Sequence, residues 1–179
     1  SYVNRSAEGF FAAREVRDLI LAMEAKATGE LSPAFLRTPF VGANQEDVLH
    51  MMKGEACRKE IEKRMNAMEK FFAERAEQFS AYEFLLDLVE ESGFRGYAYR
   101  LGGEQAAANV DQLLAMAKDY DCRGAHIEGF LSRLREQEER SDPGAAPLGG
   151  DHAVEILTMH KAKGLEYERV YIGHLFAKE

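Results

Sequence analysis

Over residues 7–27 the apolar side chains Phe10, Phe11, Val16, Leu19, Ile20 and Met23 recur mainly at three- and four-residue steps, which predicts an amphipathic helix closed by Gly29. Arg14, Glu15, Arg17 and Asp18 fall on its opposite, polar face. Residues 31–44 contain Pro33, Pro39 and Gly42. Proline removes a donor and restricts the residue before it, so a bent connection around a short helical turn is expected, with a domain boundary near its start. Asn44 can cap a short helix running through Met52, with Glu46 and Asp47 at the positive end of its dipole. Residues 55–78 lack Gly and Pro, and Cys57, Ile61, Met65, Met68, Phe72 and Phe79 form one apolar stripe among charged positions, so a long helix with a solvated polar face follows.

Ser80 caps the next helix, whose core side chains are Tyr82, Phe84, Leu85, Leu88 and Val89 and whose end is Ser92-Gly93. Gly102-Gly103 reads as a turn, and helices are expected over residues 104–119 and 127–139. Residues 141–151 hold two prolines and three glycines and read as a linker. Beyond them the pattern changes. Residues 153–159 and 169–173 are short β-type runs, of the kind that lie inside a parallel sheet, and two strands cannot complete such a sheet. The fold class is therefore mainly α, with a small α/β remnant of two short strands near the C-terminus.

The chain has 179 residues, 46% of them hydrophobic and 10% aromatic, enough for one substantial core. Apolar runs such as Leu19-Ile20-Leu21-Ala22-Met23 fall far short of the roughly 20 residues that span a bilayer. Cys57 and Cys122 lack the spacing of a zinc site or a disulfide framework, and no leader-like segment opens the sequence, which together favour a cytoplasmic location. His50, His126, His152 and His174 are scattered without metal-ligand spacing, so no metal is expected. A net charge of -8 runs against an extended nucleic-acid footprint and confines any DNA contact to a local patch.

Chemistry concentrates in Thr158-Met159-His160-Lys161-Ala162-Lys163-Gly164-Leu165-Glu166. Here a hydroxyl, an imidazole, two ammonium groups, a glycine and a carboxylate follow a strand in nine residues. Loops at the carboxyl ends of parallel strands are where ligands bind, and Gly164 lets backbone approach a phosphate or sugar. The same composition also suits an ordinary exposed loop. As a string, however, Val154-x-Ile156-Leu157-Thr158-x-His160-x-Ala162-Lys163-Gly164-Leu165-Glu166-Tyr167, followed by Val170-Tyr171-Ile172, resembles motif V of UvrD/Rep-type superfamily 1A DNA helicases, with Tyr167 where the family usually has Phe. Gly9-Phe10-Phe11-x-x-Arg14-Glu15-Val16-x-Asp18-Leu19 is similar to the helix after that family's motif IV. Phe35-Leu36-Arg37-Thr38-Pro39-Phe40-Val41-Gly42 looks like the entry to its inserted 2B domain, and that string together with Ala108-Asn109-Val110-Asp111 resembles the RecB/AddA branch.

The resemblance implies an organisation and a set of roles. Residues 1–30 would be a returning helix of the RecA-like domain 2A, 31–150 the helical 2B-type insert, and 151–179 the rest of 2A with motif V. Thr158 and His160 would contact DNA, and Lys163, Gly164 and Glu166 would face the nucleotide, with Glu166 at the ribose. The parent would be a bacterial helicase, translocating 3′ to 5′ and unwinding DNA in repair or recombination. It would use ATP and Mg2+, and its partners would be single-stranded or duplex DNA, the missing RecA-like domains, and a nuclease domain or subunit. The sequence carries no Gly-x-x-x-x-Gly-Lys-Ser/Thr loop and no acidic magnesium-binding strand, and the family's arginine finger would lie beyond residue 179. The chain alone is expected to be inactive and to bind no cofactor. A protein-interaction or autoinhibitory module is the alternative, favoured by the acidic charge.

Overall fold

The computed structural model describes residues 2–4, 9–75, 80–121, 126–140, 154–156 and 169–172. Among them are α1 (Arg14–Thr28), α2 (Pro33–Leu36), α3 (Gln45–Met52), α4 (Lys59–Glu74), α5 (Ala81–Ser92), α6 (Phe94–Asp121) and α7 (Ile127–Arg140), with two short strands, β1 (Tyr2–Asn4) and β2 (Val154–Ile156). The fold is mainly helical, as the periodicity predicts.

Helix ends follow the local chemistry closely. Gly29 adopts φ 70° and its N–H bonds the Ala25 carbonyl, closing α1. Asn44 and Asp47 form a reciprocal capping box at the start of α3, both bonds at 2.9 Å. Ser80 and Glu83 form another at α5, whose far end is Gly93 in the left-handed conformation. Ser80→Ala removes the side-chain acceptor of the Glu83 amide and should cost about 1 kcal/mol, read as a lower urea midpoint.

Four expectations are corrected. The first helix starts at Arg14 rather than residue 7, because Phe10–Ala12 form a 3-10 turn and Ala13 is extended; the turn buries Phe10 and Phe11 edge-to-face at 5.2 Å. The long helix starts at Lys59 rather than 55. Gly54 turns the chain at φ 73°, and Arg58 is held by Asp47. A helical segment from Phe94 precedes the one expected at 104, and α6 crosses a break at Gly103, whose φ of 65° and ψ of -151° are not helical. Finally, Arg169-Val170-Tyr171-Ile172 has no regular secondary structure, and Tyr171 is 89% exposed. A β-type run forms a strand only where a neighbour takes up its backbone N–H and C=O groups, and no neighbouring strand pairs with it among the described residues.

One apolar core extends from Phe10 to Leu134. α1 lies in its midst, packed against α2, α5, α6 and α7. A run of aromatic rings ties the remaining helices together. Phe35 of α2 meets Phe40 at 6.2 Å and Phe72 of α4 at 5.9 Å; Phe40 stacks on Phe94 of α6 at 5.0 Å; Phe72 meets Phe84 of α5 at 5.9 Å. The predicted α4 stripe is used as expected, with Ile61, Met68 and Phe72 buried. The charged residues of α4 itself are exposed, as expected. Arg75, just past the helix, is buried over the Phe71 ring, 3.5 Å from its centre, and pairs with Asp87 at 3.1 Å and with Glu91, fastening α4 to α5.

The two strands pair in parallel, Tyr2 opposite Val154, Val3 opposite Glu155 and Asn4 opposite Ile156. The whole helical body is thus the connection between two adjacent parallel strands.

Candidate functional site

Thr158, His160, Lys163, Gly164 and Glu166 lie outside the described residues, as do the expected linker at 141–151, Phe79, Cys122, His152 and His174. What is described is the frame from which the motif departs. Because β1 and β2 are parallel with Asn4 opposite Ile156, the chain leaves both strands at the same, carboxyl edge, toward residue 5 on one side and residue 157 on the other. In open parallel sheets that edge is the ligand-binding side.

Beyond β1 the chain enters the Phe10–Ala12 turn and α1, and on α1 the structure assembles a feature that the hydrophobic pattern does not reveal. Asp18, expected on the polar face, is 7% exposed. Ala22 and Ala25, four and seven residues on, are buried on the same side of the helix. These small side chains let a neighbouring helix approach, and an alanine stripe at i+4 and i+7 from an acidic residue is the signal that would have found the second buried face. A cleft of about 260 Å³ lies between Arg14, Glu15 and Asp18 of α1 and Tyr97, Ala98, Leu101 and Gly102 of α6. Glu15 is held there by Asn109, whose Nδ2 donates to Oε1 at 2.7 Å. Burial pushes the Asp18 carboxyl up to about 6; Arg14 and Arg17 oppose the shift and Glu15 adds to it.

A second perturbed carboxyl is structural. The Arg58 side chain donates to Asp47 through Nε at 2.8 Å and Nη2 at 2.5 Å, holding that carboxyl down at about 2 while it also caps α3. His50 stands 3.9 Å from Glu55 at the surface, and Cys57 is a half-buried thiol. No group of three His, Cys, Asp or Glu side chains is placed to hold a metal ion among the described residues. No described helix is long and apolar enough to cross a membrane.

A family model, the UvrD-like helicase C-terminal domain, matches residues 41–179. Similar curated proteins are named as subunits of an ATP-dependent helicase/nuclease. The one from Oceanobacillus iheyensis is 34% identical over 107 residues, covering 57% of this chain and 9% of that protein. Its namesake from Bacillus cytotoxicus is 28% identical over 200 residues, covering 94% and 16%. The Clostridium acetobutylicum protein is 26% identical over 191 residues, covering 93% and 15%. The chain thus spans 9 to 16% of the length of these relatives.

Proposed function

Since the chain belongs to the UvrD-like helicase C-terminal domain family, we propose that it is the part of an ATP-dependent DNA helicase that joins a regulatory helical insert to a strand-and-loop element coupling nucleotide to DNA. The observation that carries this reading is the family match over residues 41–179, which includes the string from Thr158 to Glu166. The parallel return of Val154–Ile156 onto Tyr2–Asn4 supports it, because a helical body inserted between two adjacent strands is the arrangement expected of a 2B-type insert within a RecA-like domain. On this reading residues 1–30 and 151–179 are the two portions of domain 2A, and 31–150 are the insert. The parent acts on DNA in repair or recombination, moving 3′ to 5′ and working with a nuclease domain or subunit.

Thr158 and His160 are assigned to the DNA strand, and Lys163, Gly164 and Glu166 to the nucleotide side. One loop carrying both sets is a physical route for coupling, since a shift of the loop that improves one contact changes the other. The residues present do not fit ATP and Mg2+ by themselves. The sequence has no phosphate-cradling Gly-rich loop ending in Lys-Ser/Thr, and the described residues hold no cluster of acidic ligands for the metal. The triphosphate is therefore assigned to the rest of the parent, and no chemical step is assigned to this chain.

The test is ATP hydrolysis by the parent enzyme and by the 179-residue chain, each with and without single-stranded DNA. DNA-stimulated turnover is expected from the parent alone. His160→Ala in the parent should lower the stimulated rate more than the basal one, and Glu166→Ala should weaken the coupling of nucleotide to DNA. Equal, minor effects on both rates would remove these roles, and a parent without DNA-stimulated hydrolysis would remove the motor reading. In that event the helical body is an interaction or autoinhibitory module, the reading that the net charge of -8 favours.

A further inference from the structure

A carboxylate removed from water without a hydrogen bond is unfavourable, and a site that keeps one calls for an explanation in what comes to meet it. Asp18 is such a group. Oδ2 is buried and accepts no hydrogen bond among the described residues. Among the described residues its ion-pair partner is Nε of Arg14, 4.0 Å away on a side chain that is 67% exposed, while the Asp18 side chain is 10% exposed. This is a long contact, beyond hydrogen-bond distance, to a guanidinium that is largely exposed.

Three further features surround the orphan carboxylate. Glu15 brings a second carboxylate to the same cleft, oriented by its bond from Asn109. Ala98 and Gly102, one turn apart on α6, leave the wall without bulky side chains, and Leu101 stands at the mouth, 59% exposed. Tyr97 completes an apolar flank. The cleft is therefore acidic at its base and apolar along one side.

We propose that this α1–α6 cleft is a docking site for the guanidinium group of an arginine presented by a protein segment outside this chain. A guanidinium is planar and weakly hydrated, and it donates two parallel N–H groups to a carboxylate, so it meets a desolvated Asp18 at lower cost than a compact, strongly hydrated ammonium does. The methylene stem lies along Leu101 and Tyr97. A divalent metal does not suit the site, because two carboxylates beside an arginine supply too few oxygen ligands for a hard cation. An anion is excluded by the same pair. Docking displaces Arg14 into solvent, where it already largely resides.

The experiment is a nitrogen-15 NMR titration of the 179-residue chain with N-acetyl-arginine N-methylamide. The citrulline counterpart, of equal shape but with a neutral urea, is titrated in parallel. Saturable shifts at the Glu15, Leu101 and Gly102 amides are expected with the arginine compound, and binding about tenfold or more weaker with citrulline, the size of a charge-assisted hydrogen bond. Asp18→Asn should abolish the preference for arginine. Leu101→Lys, at an exposed position that leaves the core intact, should abolish it as well by placing a competing cation at the mouth. Equal binding of the two compounds, arginine binding by either variant at the unaltered affinity, or no saturable shift overturns the proposal.

Discussion

Phe84→Ala is expected to lower the unfolding free energy by about 3–5 kcal/mol, the range for truncating a fully buried phenylalanine, and to shift the urea midpoint without changing the slope. Phe84 is completely buried, and its ring meets both Phe71 and Phe72 at 5.9 Å. Those two rings belong to α4, whose C-terminal end is fastened by the aromatic rings, the Arg75 ion pairs to α5, and the bond from Lys26 Nζ to the Phe72 carbonyl at 2.8 Å. Truncation therefore leaves a cavity and also loosens the seat of α4. A loss below about 1 kcal/mol would mean that the neighbouring rings close over the space and that the aromatic run is not the tie between α4 and α5.

Asp18→Asn is expected to stabilise the chain at neutral pH. The sign follows from linkage. A carboxyl whose pKa is about 6 when folded, against 3.8 unfolded, holds its proton more tightly in the folded state, so stability falls as pH rises between those values. Below pH 3.8 the group is neutral in both states and costs nothing; above 6 the cost is complete. Asparagine keeps the shape and removes the charge. The gain above pH 6 is on the order of 1–2 kcal/mol once water reaching the cleft is allowed for, and it should vanish near pH 4. Asp47 works in the opposite direction. With its folded pKa at about 2, it contributes stability that is present above 3.8 and lost as pH falls through 2. Urea unfolding of the unaltered 179-residue chain and of its Asp18→Asn variant from about pH 4 to 7 reads the difference, and a gap that does not change with pH would show that Asp18 is not the titrating group.

The parts of the fold legible in the sequence are those decided by neighbours within a few residues. Asn44 with Asp47, Ser80 with Glu83, and the terminal Gly29 and Gly93 each satisfy helix-end groups locally, so the chemistry is complete within a short string of residues. The stripe of α4 is legible for the same reason, because that helix buries one face only. Residues 94–102 are hidden from such a reading because Gly96 and Gly102-Gly103 carry turn signals, yet burial of Phe94 and Ala98 against the core outweighs the weak local preference. Asp18 escapes it because a polar residue on a helix is expected to face solvent, whereas α1 is enclosed on several sides. The motif from Thr158 to Glu166 is the converse case. Its order of residues carries the functional reading without any geometry of its own, and the contribution of the described structure is the parallel frame that it leaves from.

That frame also sets a sequence of events in folding. The pairs joining Tyr2–Asn4 to Val154–Ile156 lie at opposite ends of the chain, roughly 150 positions apart, and closing so long a loop from a disordered chain costs about 4 kcal/mol before the first ladder bond forms. Two strands of three residues each do not offset that. The hydrogen bonds within each helix are local, and the long-range packing of α1 against α6 and α7 brings the strands together, so most of the closure entropy is lost in that packing. The ladder is then expected to assemble late and to open early. The junction from which the motif departs is accordingly expected to open more readily than the helical body, which does not depend on the two short strands for its core.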